Sequence, residues 1–417
     1  MNRSDVLIIG AGPTGLVLAL WLSKLGVRVR ILDKTSAPGT TSRALAVQAR
    51  TLELYRQLDL ADTVVRKGHR VAAANFWVNG KPVAQLPLNR IGEGLTPYAF
   101  VEIFPQDEHE RLLIERLEDY GVSVERNTTL ESFEETSDGL TAHLRLPDGE
   151  QEICQACYLA GCDGARSVVR KSLDAGFPGG TYQQIFYVAD VKASGPAMNG
   201  ELHLDLDEAD FLAVFPLAGE GRARLIGTVR DERADRADTL AFSDVSSRAI
   251  EHLKVHIEDV HWFSTYRVHH RVAEHFRSAR AFLLGDAAHV HSPAGGQGMN
   301  TGIGDAINLA WKLAAVLGGG AEPGLLDSYE TERIAFARRL VSTTDKVFSF
   351  VTAEGRMADL LRMRVAPFLI PKLAAFEASR EFLFSHCVAG HPQLPRHAAQ
   401  PGRGRPRARR RSPAVGA

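Results

Sequence analysis

Residues 5–24, DVLIIGAGPTGLVLALWLSK, limit the possible folds more than any other stretch of the chain. An unbroken apolar run of this kind reads as a strand buried on both faces, which is the habit of a parallel sheet. A glycine turn and a second apolar run, long enough for a helix, follow it directly. Within the G-x-G-x-x-G spacing, Gly10 permits the tight turn, Gly12 lets a pyrophosphate approach the backbone, and Gly15 lets the helix pack close to the strand. The helix start then faces the phosphates. VRVRILDK supplies a second strand ending in Asp33, eighteen residues after Gly15 and placed to accept hydrogen bonds from a ribose diol. A tight turn without a ligand is the plainer alternative. The motif indicates a dinucleotide and does not separate NAD from FAD.

A second loop bears on that choice. AFLLGD, residues 281–286, reads as another buried strand, and GMNTGIGDAINLAWKLAAVLG as a long helix starting near Gly298. Between them lies GDAAHVHSPAGGQGMN, dense enough in glycine for backbone amides to approach an anion or a flat ring. A simple NAD site needs one strand-to-helix loop, whereas FAD is long enough to engage two. No second G-x-G-x-x-G occurs. GGGAEPG at 318–324 follows a helix and reads as its cap and loop, so no separate NAD(P)H domain is visible.

The formal charge of -1 gives no reason to expect nucleic acid or an anionic membrane as partner. The apolar stretch at 6–22 is too short and too interrupted by glycine to be a good membrane span or signal segment. A cytoplasmic protein is expected. Four cysteines do not make a disulfide framework. Cys154, Cys157 and Cys162 lack a fourth ligand at a usual spacing, and His269, His270, His289 and His291 read as structural, so no metal is expected.

These residues resemble the class A FAD-dependent aromatic hydroxylases, single-component monooxygenases acting on phenols and aromatic polyketides. The resemblance covers roughly residues 5–345 and rests on three ordered motifs: GAGPTG with Asp33, GCDGARSVVR at 161–170, and GDAAHVHSPAGGQGMNTGIGDAINLAWKL. It implies a Rossmann-like α/β FAD-binding domain with an inserted antiparallel-sheet substrate domain and C-terminal helices. It also implies FAD as cofactor and NADH or NADPH as transient reductant. One oxygen atom of O2 would pass to a small aromatic substrate through a flavin C4a-hydroperoxide.

Position by position, the resemblance puts Asp33 on the adenosine ribose, with Thr14, Lys34 and Leu130 near the AMP half. Arg43 and Gln106 match contacts to the phosphates or ribityl chain. Asp286 would bind ribityl hydroxyls, Pro293 would lie beside the flavin, and Gly296, Gly298, Met299 and Asn300 would present backbone groups around the pyrimidine edge. Asp163, with Arg166 and Arg170, either organises nicotinamide approach and flavin packing or caps a helix. A non-catalytic or truncated FAD-binding protein and a flavin-dependent reductase of the same fold remain the alternatives. No W-x-W-x-I-P run supports a halogenase.

The expected division places the discontinuous FAD-binding domain at 1–75, 100–180 and 270–345, and the substrate domain at 76–99 and 181–269. A helical segment follows at 346–385, and then a tail at 386–417 with seven arginines and no acids, disordered by composition. Larger family members carry a thioredoxin-like third domain for which this length leaves no room. Phe186, Phe211 and Phe215 are the candidate substrate contacts, and Phe76, Trp77, Phe100, Trp262 and Phe263 could join them in an aromatic pocket. His203, His269 and Tyr266 are conceivable bases, and none is assigned. Oligomeric state is not readable.

Overall fold

The computed structural model describes residues 3–40, 44–89, 91–205, 211–229, 240–293 and 296–352. The opening strand, Arg3–Ile9, lies between Val29–Leu32 and the long strand Gln151–Gly161, parallel to both. Val6, Leu7 and Ile8 are fully buried there, as an unbroken apolar run requires. Val124–Glu125 and Ala281–Leu283 extend the parallel sheet at its two sides. The long strand divides its outer edge: residues 151–156 pair antiparallel with Gly139–Arg145, and 159–161 pair parallel with Ala281–Leu283.

The helix Pro13–Lys24 is apolar on every side, and Leu16 through Leu20 are fully buried. It therefore sits beneath other helices, packing on Gln106–Glu118 and Gly298–Leu317. This is the parallel α/β architecture expected of the nucleotide motif.

A second sheet runs in the order Lys81–Pro87, Ala73–Val78, Leu202–Asp205, Leu212–Pro216, Arg222–Val229, Gly179–Ser194, His256–Val272, His289–Val290. Its pairs are antiparallel except Ala73–Val78 with Leu202–Asp205. Successive side chains alternate between its faces. One face carries Ile185, Tyr187, Ala189, Leu212, Val214 and Leu225, and packs on Ala249, Ile250 and Leu253. The other carries Phe76, Leu204, Phe215 and Ile226, and meets Leu45, Ala49, Val71 and Ile103 around the small sheet of Ala46–Val47, His69–Val71 and Val101–Ile103.

The alternation corrects part of the aromatic expectation. Trp77 and Phe263 belong to the first face, one residue out of phase with Phe76 and Trp262, and Phe100 packs on the nucleotide-domain core. The expected segment 346–385 is described only to Thr352, within the helix Asp327–Thr352, and the basic tail lies outside the described residues. No helix among the described residues is long and apolar enough to cross a membrane.

Candidate functional site

The glycine turn is shaped by its neighbours. Gly10 adopts φ +103°, and a Cβ there would lie 2.3 Å from the Cys162 carbonyl oxygen, so no larger residue fits. A Cβ on Gly15 would lie 2.0 Å from the Gly10 oxygen, whereas one on Gly12 would meet nothing within 4 Å. Gly10 and Gly15 thus serve packing, and Gly12 faces open space before the helix start. Asp33 braces this turn: Oδ2 accepts from the Ala11 amide at 2.8 Å, and Oδ1 from the Thr35 amide and hydroxyl at 2.8 and 2.7 Å.

The second loop is locked to the first. Gly285 at φ +58° and Gly302 both leave room for Thr14, whose hydroxyl would lie 2.7 and 2.3 Å from a Cβ at either position. The Thr14 side chain is therefore a wedge between the two motifs. Asp286 is exposed in an otherwise buried turn, and Pro293 is exposed. Gly296 adopts φ +60° against Ala46, and its amide donates to the Pro293 carbonyl at 3.0 Å. The helix Gly298–Leu317 then begins.

Asn300 clasps this helix to the start of another. Its Nδ2 donates to the carbonyls of Ala46 and Gly296, and its Oδ1 accepts from the Gln48 amide and the Thr51 hydroxyl. With all four bonds made inside the protein, its side chain positions the loop and leaves only backbone to face a cofactor.

A buried ionic hub supports the same loop. Asp305 is fully buried; its Oδ2 accepts from the Gly285 amide at 3.0 Å and from His289 Nε2 at 2.7 Å, and its Oδ1 from Arg333 Nε at 2.5 Å. Burial pushes its carboxyl up, but Arg333 and His289 outweigh it and hold the group at about 2. His291 donates from Nδ1 to the Ser292 carbonyl at 2.8 Å. Burial lowers this imidazole to about 4, so it stays neutral beside Gly298. Asp305 and Arg333 escape sequence reasoning, although a lone acid inside GIGDAINLAWKL was the available signal.

The segment 161–170 leads into the short helix Val168–Ser172. Asp163 accepts from the Ser167 hydroxyl and the Val168 and Val169 amides, and Ser167 caps Val168–Ser172 through the Arg170 amide. Arg170 is buried and donates to the carbonyls of Ala165 and Ala287 at 2.7 and 2.8 Å, tying this helix to the turn that carries Asp286. Arg166 is exposed.

The remaining sequence candidates are scattered. Gln106 opens its helix and donates to Glu110 at 2.8 Å. Lys34 is exposed, while the Leu130 side chain is buried in the core and leaves its backbone alone available. Arg43 lies outside the described residues.

Three helix starts converge here: Pro13–Lys24, Ala49–Arg56 and Gly298–Leu317. None has a side-chain cap or an acid in its first turn, whereas Gln106–Glu118 opens with Asp107 and Glu108. Their first amides have no intrahelical acceptor, and their dipoles favour negative charge. Together with the open space at Gly12, this fits a phosphate-bearing cofactor.

Phe186, Phe211 and Phe215 lie on the sheet face turned toward the nucleotide domain. Phe186 clusters with Tyr182, Phe211, Tyr266 and Val268, and Phe215 with the cluster around Phe76. The candidate base His203 points the other way. It accepts from Trp77 Nε1 at 3.0 Å and donates from Nε2 to Asn199 at 2.8 Å, and burial lowers it to about 4. His269 pairs with the Thr181 hydroxyl. Of the three, only Tyr266 shares the face of Phe186. No group of three or more His, Cys, Asp or Glu among the described residues could hold a metal.

Residues 3–344 match the family described as FAD binding domain. A 6-methylpretetramide 4-monooxygenase of Streptomyces rimosus is 38% identical over 368 residues, which cover 88% of this chain and 64% of that protein. The structure of an anhydrotetracycline hydroxylase from Streptomyces rimosus matches at TM-score 0.74 and 31% identity, over 93% of this chain and 76% of that one. A p-nitrophenol 4-monooxygenase from Pseudomonas putida matches at TM-score 0.82, over 94% and 100% of the two chains; at 24% identity the likeness is one of fold alone.

Proposed function

The chain belongs to the FAD-binding-domain family, and on that premise we propose that it is a monooxygenase hydroxylating an aromatic, phenolic or polyketide-like substrate with NADH or NADPH and O2. The carrying observation is the convergence of three uncapped helix starts around two interlocked glycine loops, the second of which joins the antiparallel sheet through His289–Val290. The names of the relative and of the anhydrotetracycline hydroxylase support the reading, although the chain spans 64% of that relative's length.

FAD, when bound, supplies the redox chemistry between reduced nicotinamide and oxygen. The chain's own residues supply place and charge. The amides after Gly12 would receive the pyrophosphate and Asp33 the ribose, with Arg43, Gln106, Lys34 and the Leu130 backbone along the same half. Asp286 would hold the ribityl hydroxyls. Pro293, Gly296 and the amides of Gly298, Met299 and Asn300 would face the ring's carbonyl edge, where a helix start stabilises negative charge. Phe186, Phe211 and Phe215 would exclude water above it. Asp163 and Arg170 would act by shaping the loop.

We assign the nucleotide domain to 1–75, 100–180 and 270–345 and the substrate domain to 76–99 and 181–269. A cytoplasmic location suits the reductant and the free Cys154, Cys157 and Cys162.

The test is NAD(P)H oxidation by the FAD-loaded chain with and without phenols and aromatic polyketides. Stimulation by substrate of at least tenfold is expected. Tightly bound FAD with no stimulation by any compound would indicate a flavin-binding protein without this activity.

A further inference from the structure

His291 lies in the loop that leads from His289–Val290 into the helix Gly298–Leu317. Its Nδ1 sits 2.8 Å from the Ser292 carbonyl oxygen. That oxygen can only accept, so Nδ1 carries the proton. Burial keeps the ring neutral, which leaves Nε2 a bare acceptor. Nε2 is buried and makes no hydrogen bond among the described residues. Its polar neighbours are already engaged: His289 Nε2 pairs with Asp305, and the Asn300 amide bonds to Ala46, Gln48, Thr51 and Gly296.

This nitrogen looks onto a gap at the helix start. Beyond its own helix and chain neighbours, a Cβ on Gly298 would have one described atom within 4 Å, and that atom is His291 Nε2 at 4.0 Å. Gly298 is not among the glycines with positive φ, so backbone conformation does not call for glycine here. An oxygen hydrogen-bonded to Nε2 at about 2.8 Å falls within the gap. The Gly298 amide borders it and has no intrahelical acceptor, since the first such bond runs from the Thr301 amide to the Gln297 carbonyl. The two sides of the gap ask for opposite partners. A carbonyl or phosphate oxygen suits the amide and leaves Nε2 unpaired, which is costly, and a cation suits Nε2 but opposes the helix dipole. A hydroxyl donates and accepts at once.

Resting on the flavin-binding reading of this loop, we infer that His291 Nε2 and the Gly298 amide together hold one neutral hydroxyl, which donates to the imidazole and accepts from the helix start. The hydroxyl belongs to the ribityl chain of the cofactor or to a water that the bound cofactor encloses. His291 is a cofactor-binding residue in the first case and a positioning residue in the second. In both, glycine at 298 keeps the gap open.

The test is the Kd for FAD, followed by flavin fluorescence, beside the Tm of the FAD-free protein. His291→Asn keeps a donor for the Ser292 carbonyl and removes the acceptor; it is expected to raise Kd about tenfold. His291→Gln carries an oxygen out to about the Nε2 position and should stay within about threefold of wild type. Gly298→Ala fills the gap with a methyl group for which the FAD-free protein has room. It should leave that protein's Tm unchanged or slightly higher, yet raise Kd about tenfold, a separation that a merely structural role would not produce. FAD analogues each lacking one ribityl hydroxyl identify the source. If the hydroxyl is ribityl, wild type binds one analogue about tenfold more weakly than FAD, and His291→Asn binds that analogue and FAD alike. If it is water, His291→Asn weakens FAD and every analogue by the same factor. A Kd for FAD within about twofold of wild type in His291→Asn or in Gly298→Ala, no recovery in His291→Gln, or a lowered Tm of FAD-free Gly298→Ala would each overturn the proposal. Wild type that takes up no FAD would instead sink the flavin reading on which it rests.

Discussion

Asp305 shows how one buried side chain can hold a glycine loop from beneath. Its three partners come from the loop itself, from His289 and from the helix Asp327–Thr352. Removing one member of a buried ion pair costs about 3–5 kcal/mol. Asp305→Asn should lose stability of that order by chemical denaturation and retain FAD poorly. The carboxyl is held at about 2 in the folded protein, below its ordinary value. The stability it contributes is thus complete above about pH 4 and disappears as pH falls toward 2. The difference between wild type and variant should shrink over that window. Glu102 behaves oppositely. It is fully buried with neither oxygen hydrogen-bonded among the described residues, and burial pushes it up to about 8 against the pull of Arg70. A raised carboxyl favours the fold below its unfolded value near 4.5 and loses that contribution as pH climbs through 8. Glu102→Gln should raise Tm by a few degrees at pH 8.5 and leave it unchanged at pH 4. Neither residue announces its role in sequence: Asp305 is closed by Gly285, His289 and Arg333 from other elements, and the burial of Glu102 is set by the fold around it.

At the level of elements, strand, glycine turn and helix were legible at 5–24 because burial on both faces and the G-x-G-x-x-G spacing are local properties. The helix from Gly298 was legible for the same reason. The faces of the antiparallel sheet were not: Trp77 and Phe263 sit one residue out of phase with Phe76 and Trp262, and only the observed register separates them. The segment 161–170 was read two ways, and its hydrogen bonds show a capped helix tethered by Arg170 to Ala287. Arg170→Met should keep the fold yet loosen the turn that carries Asp286, raising the Kd for FAD about tenfold by titration of flavin fluorescence. An unchanged Kd would make the tether irrelevant to the cofactor. Met299→Glu should also weaken binding, since it places an acid at a helix start that carries none in its first turn.

For the whole molecule, two sheets with different pairing rules meet at one set of loops. The parallel sheet ends at Gly10 and Gly285, and the antiparallel sheet joins the second of these loops through the pairing of Arg271–Val272 with His289–Val290. A ligand held at that junction should stabilise the folded chain by mass action. FAD at a hundred times its Kd adds about 2.7 kcal/mol, and Tm should rise by several degrees, with AMP giving a smaller rise. The proposed reaction passes one atom of oxygen to an aromatic ring at this junction. The most direct measurement supplies the FAD-loaded chain with NAD(P)H, oxygen-18 gas and 6-methylpretetramide or a related polycyclic phenol, and weighs the product. The expected product is hydroxylated and carries one oxygen-18 atom from the gas; NAD(P)H consumed with every substrate returned unlabelled would rule the reaction out.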